Sequence, residues 1–204
     1  MAIHTYANLA IDEATKLADL NGISYDLRRA REFADRLANE LKSEKYDSDF
    51  VESLSISTVV MYSRPFLKGA RHRLGETELT VLSEKQREAH NHLRAYRDKH
   101  VAHSVSALEQ NVPRADYCEE RVADEGITGI SCEGFRVVGL SSADLDAIVE
   151  LTTLLEKIVD DYVECEKETQ LKVVRERPLE EILCGGRKAI VVDVPASVSS
   201  RRKQ

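Results

Sequence analysis

Apolar residues recur at helical spacing through most of the chain. Residues 4–21 place Leu9, Ala10, Leu17 and Leu20 on one side, with Asn21-Gly22 as a stop signal. Residues 25–42 repeat the pattern with Leu27, Ala30, Phe33, Ala34, Leu37 and Leu41. A third helix is predicted over residues 50–64, where Asp49 and Glu52 resemble a capping box and Pro65 kinks or ends the helix. Its Ser53, Ser55, Ser57 and Thr58 make one part small and polar, a surface that another helix can approach closely. A fourth helix is predicted from Glu76 or Thr77 to about Ala107, since Asn111 and Pro113 are breakers. Leu79, Leu82, Gln86, Ala89, Leu93 and Tyr96 form its core-facing stripe, and His100 and His103 continue that stripe.

The pattern changes over residues 113–140. Residues 127–131 and 135–138 flank Cys132-Glu133-Gly134 and read as a small β-hairpin inserted between helices. Ser141 with Asp144 matches a capping box, and Leu140 with Leu145 a hydrophobic staple. The fifth helix then carries Leu145, Ile148, Val149, Leu155, Ile158, Val159, Tyr162 and Val163 at core spacing, and it is the expected packing partner of the fourth. Leu171 to Val174 extend that helix or begin a strand. Residues 189–194 read as a strand after a Cys184-Gly185-Gly186 turn, and 197–204 as a disordered basic tail. The fold class expected is mainly α: a helical bundle over 1–170 with the β-hairpin at 113–140, and a short C-terminal β/tail appendage over 171–204.

A chain of 204 residues is long enough for a sizeable core, and 42% hydrophobic with 32% charged residues is a globular composition. The formal net charge of -7 does not attract nucleic acid broadly, so any RNA contact must sit at a local basic cleft. Aromatic content of 5% with no Trp argues against a base-stacking platform. Cys118, Cys132, Cys165 and Cys184 show no regular spacing and read as free thiols in a reducing cytoplasm. Asp12, Glu13 and the lack of a long apolar stretch do not read as a signal peptide, and no run approaches a membrane span. Arg28, Arg29, Arg31 and Arg36 read as a solvated basic face pairing with Glu32, Asp35 and Glu40; the acidic end of the fifth helix, Asp160 to Glu168, reads as a solvated acidic face.

Candidate chemistry concentrates in Arg94-Ala95-Tyr96-Arg97-Asp98-Lys99-His100-Val101-Ala102-His103-Ser104. On a straight helix Arg97 and His103 lie ~120° apart and flank a cleft, with Tyr96 and His100 between them. Histidine can give or take a proton near neutral pH, and arginine can grip a phosphate with two donors. That pair suits RNA cleavage: a base removes the 2′-OH proton while a cation steadies the charge developing on phosphorus. The alternative is that His100 and His103 are hydrogen-bonded core or interface histidines and Arg97 a salt-bridge partner of Asp98 or a glutamate. His90-x-His92 and His100-x-x-His103 do not supply the convergent ligands zinc needs, so neither metal nor cofactor is expected. The G-x-S-x-G elbow of a serine hydrolase is absent. Arg64, just before Pro65, either turns toward the histidines or lies on the surface.

Arg97-Asp98-Lys99-His100-Val101-Ala102-His103 resembles the R-x(4–6)-H signature of the HEPN superfamily, in the form found in bacterial abortive-infection-type proteins. The segment Tyr62-Ser63-Arg64-Pro65-Phe66 and His90 are similar to uncharacterised bacterial proteins of that group. The resemblance spans roughly residues 25–165. It implies an antiparallel bundle of four to five helices, frequent homodimerisation and, in active members, a metal-independent ribonuclease. Arg97 and His103 are then the signature pair with His100 beside them. Arg94, Tyr96, Asp98, Arg64, His90 and Ser104 would contact substrate. Val105 stands where many toxin members carry tyrosine, and many members of the family are catalytically silent. Three functions follow: an endoribonuclease of defence or toxin–antitoxin systems, with an antitoxin or defence-complex protein as partner; a silent module binding RNA, a nucleotide or a protein; or a structural dimerisation subunit.

Overall fold

The computed structural model describes residue 9 and residues 14–101, 109–136 and 139–178. Over these the chain is mainly helical with one small antiparallel sheet. In order come α1 (Thr15–Glu40), α2 (Ser48–Ser63), a 3-10 turn (Arg64–Phe66), α3 (Glu76–Leu79), α4 (Glu84–Tyr96), a π-helical turn (Arg97–Val101), β1 (Glu109–Asp116), α5 (Val122–Glu125), β2 (Gly129–Arg136) and α6 (Ser142–Arg175). No helix among the described residues is long and apolar enough to cross a membrane.

Alternating steps of three and four residues place Leu20, Ile23, Leu27, Ala30, Ala34 and Leu37 on one face of α1, all fully buried. The matching face of α6 buries Leu145, Ile148, Leu151, Leu155, Val159 and Val163. The two helices run antiparallel, as their cross-links show: Lys16 to Glu166, Ser24 to Asp160, Arg28 to Glu156. Both α2 and α4 pack onto this pair, and Val59, Tyr62, Leu79 and Leu93 complete the core.

Residues 15–40 form one helix, where two separated at Asn21-Gly22 were expected. Asn21 turns its amide back to the Leu17 carbonyl (2.8 Å), and buried Leu20 and Ile23 hold the helix on either side of the glycine. Gly22 has a packing role instead: a Cβ there would stand 3.2 Å from Nη1 of Arg71, whose Nη2 binds Asp26 at 2.8 Å. Burial of the α1 face outweighs the ~1 kcal/mol that a mid-helix glycine costs relative to alanine.

The arginines of α1 also differ from expectation. Arg29 pairs with Glu32 within the helix, but Arg28 and Arg31 cross to α6 and clasp buried Glu156 at 3.1 and 2.6 Å. Asp160 and Glu166 of the acidic α6 end likewise point to α1, accepting from Ser24 (2.9 Å) and Lys16 (3.0 Å). These charges join helices as well as meeting solvent.

Asp47, and not Asp49, caps α2, accepting from the amides of Asp49 and Phe50. The hydroxyls of Ser55 and Thr58 bond back to carbonyls one turn earlier (2.7 and 2.6 Å), so both are buried with their donors paired. The helix expected from Glu76 to about Ala107 is two: α3 stops at Leu79, and Ser83 opens α4 through a capping box with Gln86.

The β-element also differs. Gly129–Arg136 is one continuous strand that contains Cys132-Glu133-Gly134, and it pairs with Glu109–Asp116 from Glu109↔Arg136 to Asp116↔Gly129. Pro113 is tolerated because a two-stranded sheet consists only of edges. Gly134 faces Asn111, whose Oδ1 would lie 3.1 Å from a Cβ there. Ser141 caps α6 through Asp144, with Leu140 and Leu145 both buried, as the spacing predicts. Leu171 to Val174 extend α6, which ends at Arg175. The strand expected at 189–194, its preceding turn and the tail at 197–204 lie outside the described residues.

Candidate functional site

The last turns of α4 bring together part of the motif. Leu93 is buried and anchors the helix, while Arg94, Tyr96, Arg97 and His100 are half-buried and Asp98 is exposed. From Arg97 to Val101 the backbone leaves the α-helical register for a π turn. In a π turn each amide bonds five residues back, which widens the helix and changes the angle between successive side chains. The ~100° step used to place Arg97 relative to His103 therefore does not apply through this segment. His103 and Ser104 themselves lie outside the described residues.

Arg97 Nη1 binds Asp98 Oδ1 at 2.9 Å. The two half-accessible partners form a local ion pair that a stronger anion can displace, since exposed pairs contribute only ~0–1 kcal/mol. The His100 ring stands edge-on to Tyr96 with centroids 4.9 Å apart, and Tyr96 donates a long bond to the Gly139 carbonyl (3.5 Å). His100 Nδ1 is buried without a hydrogen-bond partner among the described residues, and so is Arg94 Nε. Native proteins keep few such groups, so each calls for an explanation.

His90 sits apart from these, one face deeper. It is 4% exposed and wedged between Tyr62 and Phe66, with ring centroids 5.9 and 4.7 Å away. The Tyr62 hydroxyl and His90 Nδ1 are 2.8 Å apart. Burial pushes the phenol's pKa up, so it keeps its proton. If Nδ1 carried a hydrogen as well, the phenolic proton would have no acceptor among the described residues; Nδ1 therefore accepts and the ring proton sits on Nε2. Burial, then the charges of Arg94 and Arg87, hold the His90 pKa down at about 4. His90 is thus a neutral donor at physiological pH.

Arg64 turns to α1, where it and Arg71 hold the buried Asp26 carboxylate at 3.2 and 2.8 Å. It is an exposed arginine, as the surface alternative has it, and is held there by an ion pair. Phe66, from the Tyr62–Phe66 segment, lines a cleft of about 390 Å³ with His90 and Arg94, joined by Arg73 and Asn91, which had no role expected from sequence. The spacing of His90, Asn91 and Arg94 at one helix turn was the available signal for this face. His92 points elsewhere, to Asp144 of α6 (3.2 Å). No group of three metal-ligating side chains occurs among the described residues. Comparison with protein-family models, with curated proteins and with solved structures finds no match.

Proposed function

We propose that this chain is a metal-independent endoribonuclease of HEPN type, acting in bacterial defence or a toxin–antitoxin pair. The observation that carries the reading is the π turn at Arg97–Val101. Departures of this kind within a helix occur frequently at functional sites. Here the turn coincides with the start of the R-x(4–6)-H segment and contains His100, whose buried Nδ1, like Nε of the preceding Arg94, has no partner among the described residues. In the reaction, a histidine base, His103 with His100 adjoining, takes the 2′-OH proton. The 2′ oxygen then bonds to phosphorus as the bond to the 5′ oxygen breaks; the departing oxygen takes a proton from water to become a 5′-OH, and a 2′,3′-cyclic phosphate is left. Arg97 exchanges Asp98 for the phosphate and stabilises its developing charge. A homodimer would place two motif ends about one two-fold axis and build a composite cleft.

Incubating the purified chain with single-stranded RNA in EDTA and identifying the 3′ ends tests this: cyclic phosphate termini support it. The Arg97–Asp98 ion pair and the net charge of -7 favour a second reading, a binding module that holds RNA or a protein without cleaving. Saturable RNA binding with no product would select that one.

A further inference from the structure

The cleft beside His90 lies one helical turn before the π turn and shares Arg94 with the motif there. It lies between α4 and the connector that follows the 3-10 turn, which the Leu74 amide pins to the Pro65 carbonyl (2.8 Å). At about 390 Å³ it falls within the ~300–1,000 Å³ range of small-molecule sites. One side is apolar: Phe66, Leu74 and Leu79. The other side presents hydrogen-bond donors. Arg73 has no ion pair among the described residues, and Arg94 stands 5.7 Å from the Phe66 ring centroid with its Nε unpartnered. His90 offers Nε2–H, since Nδ1 is taken by Tyr62, and Asn91 adds a side-chain amide. The acidic side chain on the wall, Glu76, is exposed and pairs with Arg87 at 2.8 Å. Two arginines, Arg73 and Arg94, therefore line the cleft against one carboxylate that is already ion-paired, in a protein whose overall charge is negative. The pKa of His90 is held low first by burial and then by the charge of Arg94, with Glu76 opposing, so the ring stays neutral beside the cleft.

We infer that this cleft binds a phosphate monoester, with its phosphoryl oxygens on Arg73 and Arg94 and its organic group against Phe66, Leu74 and Leu79. A phosphoryl dianion matches the donor set better than a carboxylate. It has three peripheral oxygens for two guanidinium forks, an imidazole N–H and an amide, and guanidinium forks bind such oxygens in pairs. The neutral histidine donates without adding charge. The inference shares Arg94 and His90 with the proposed RNA contacts but needs no proton transfer, so binding of the probe can be tested apart from RNA cleavage.

Phenyl phosphate is the probe, since it joins the two features the cleft recognises. Calorimetric titration should give saturable binding, tighter than that of inorganic phosphate, and the ligand should raise the unfolding temperature by mass action. Arg73→Gln and Arg94→Gln should each weaken binding ~10–100-fold, the loss expected when a charged hydrogen-bonding partner is removed. Arg73 is exposed, so its variant reports binding without a folding defect; circular dichroism checks the Arg94 variant. Arg121→Gln removes the same charge outside the cleft, where Arg121 pairs with Glu125, and should bind as the wild type does. His103→Ala should bind phenyl phosphate normally even if it abolishes RNA cleavage. No binding at millimolar phenyl phosphate would overturn the inference, as would an equal loss in Arg121→Gln. Benzoate binding as tightly as phenyl phosphate would overturn the phosphate assignment.

Discussion

Acidification should loosen this fold through His90. The neutral ring fills a buried slot between Tyr62 and Phe66, and its pKa drops from 6.5 to about 4 on folding. A depressed pKa means that the unfolded chain binds the proton first. Stability contributed by neutral His90 is present above pH ~6.5 and is lost as the pH falls through the folded value near 4. The full shift corresponds to about 3 kcal/mol, of which about 2 kcal/mol disappears between about pH 7.5 and about pH 5. For a chain of this size that lowers the melting temperature by roughly 4–8 °C. Urea unfolding of the wild type and of His90→Gln isolates the effect, because glutamine keeps an acceptor for Tyr62 but cannot titrate. Between those two pH values the wild type should lose about 2 kcal/mol more than the variant. Parallel profiles, or a ring resonance of His90 that titrates near 6.5, would refute the burial and tautomer assigned to this side chain.

Two further substitutions probe the frame around the motif. Asp26→Asn leaves Arg64 and Arg71 without their shared counter-charge; both can partly reach water, so urea unfolding should show a loss of about 2 kcal/mol. Gly139 has φ of +105°, and a Cβ there would meet Val51 Cγ1 at 3.3 Å, so Gly139→Ala should cost about 1–3 kcal/mol by thermal unfolding.

Much of the bundle was legible because burial leaves a periodic trace. The apolar face of α6 and its Ser141–Asp144 cap could be read directly, as could the helical character of α1. The break between α3 and α4 was also encoded, in Ser83-Glu84-Lys85-Gln86, but a continuous apolar stripe from Leu79 to Tyr96 concealed it. β1 left little trace: Glu109–Asp116 holds a single β-branched residue, Val112, and a proline, so its strand state depends on pairing with β2. At the candidate site, the clustering of Arg94, Tyr96, Arg97, Asp98 and His100 at one helix end was legible. The π turn was not, because a change of hydrogen-bond register leaves the residue spacing unchanged. Nor was the coupling of His90 to Tyr62, across 28 residues of sequence, or the use of Arg64 and Arg71 to hold Asp26. Those contacts arise from where α2 and its following turn meet α1 and α4.

RNA cleavage by wild type and His103→Ala, side by side in EDTA, tests the proposed function most directly. If His103 is the base, wild type releases fragments with 2′,3′-cyclic phosphate ends and the variant is slower by ~10²–10⁴-fold while remaining folded. Equal cleavage by the two proteins, or no cleavage by wild type, would contradict it.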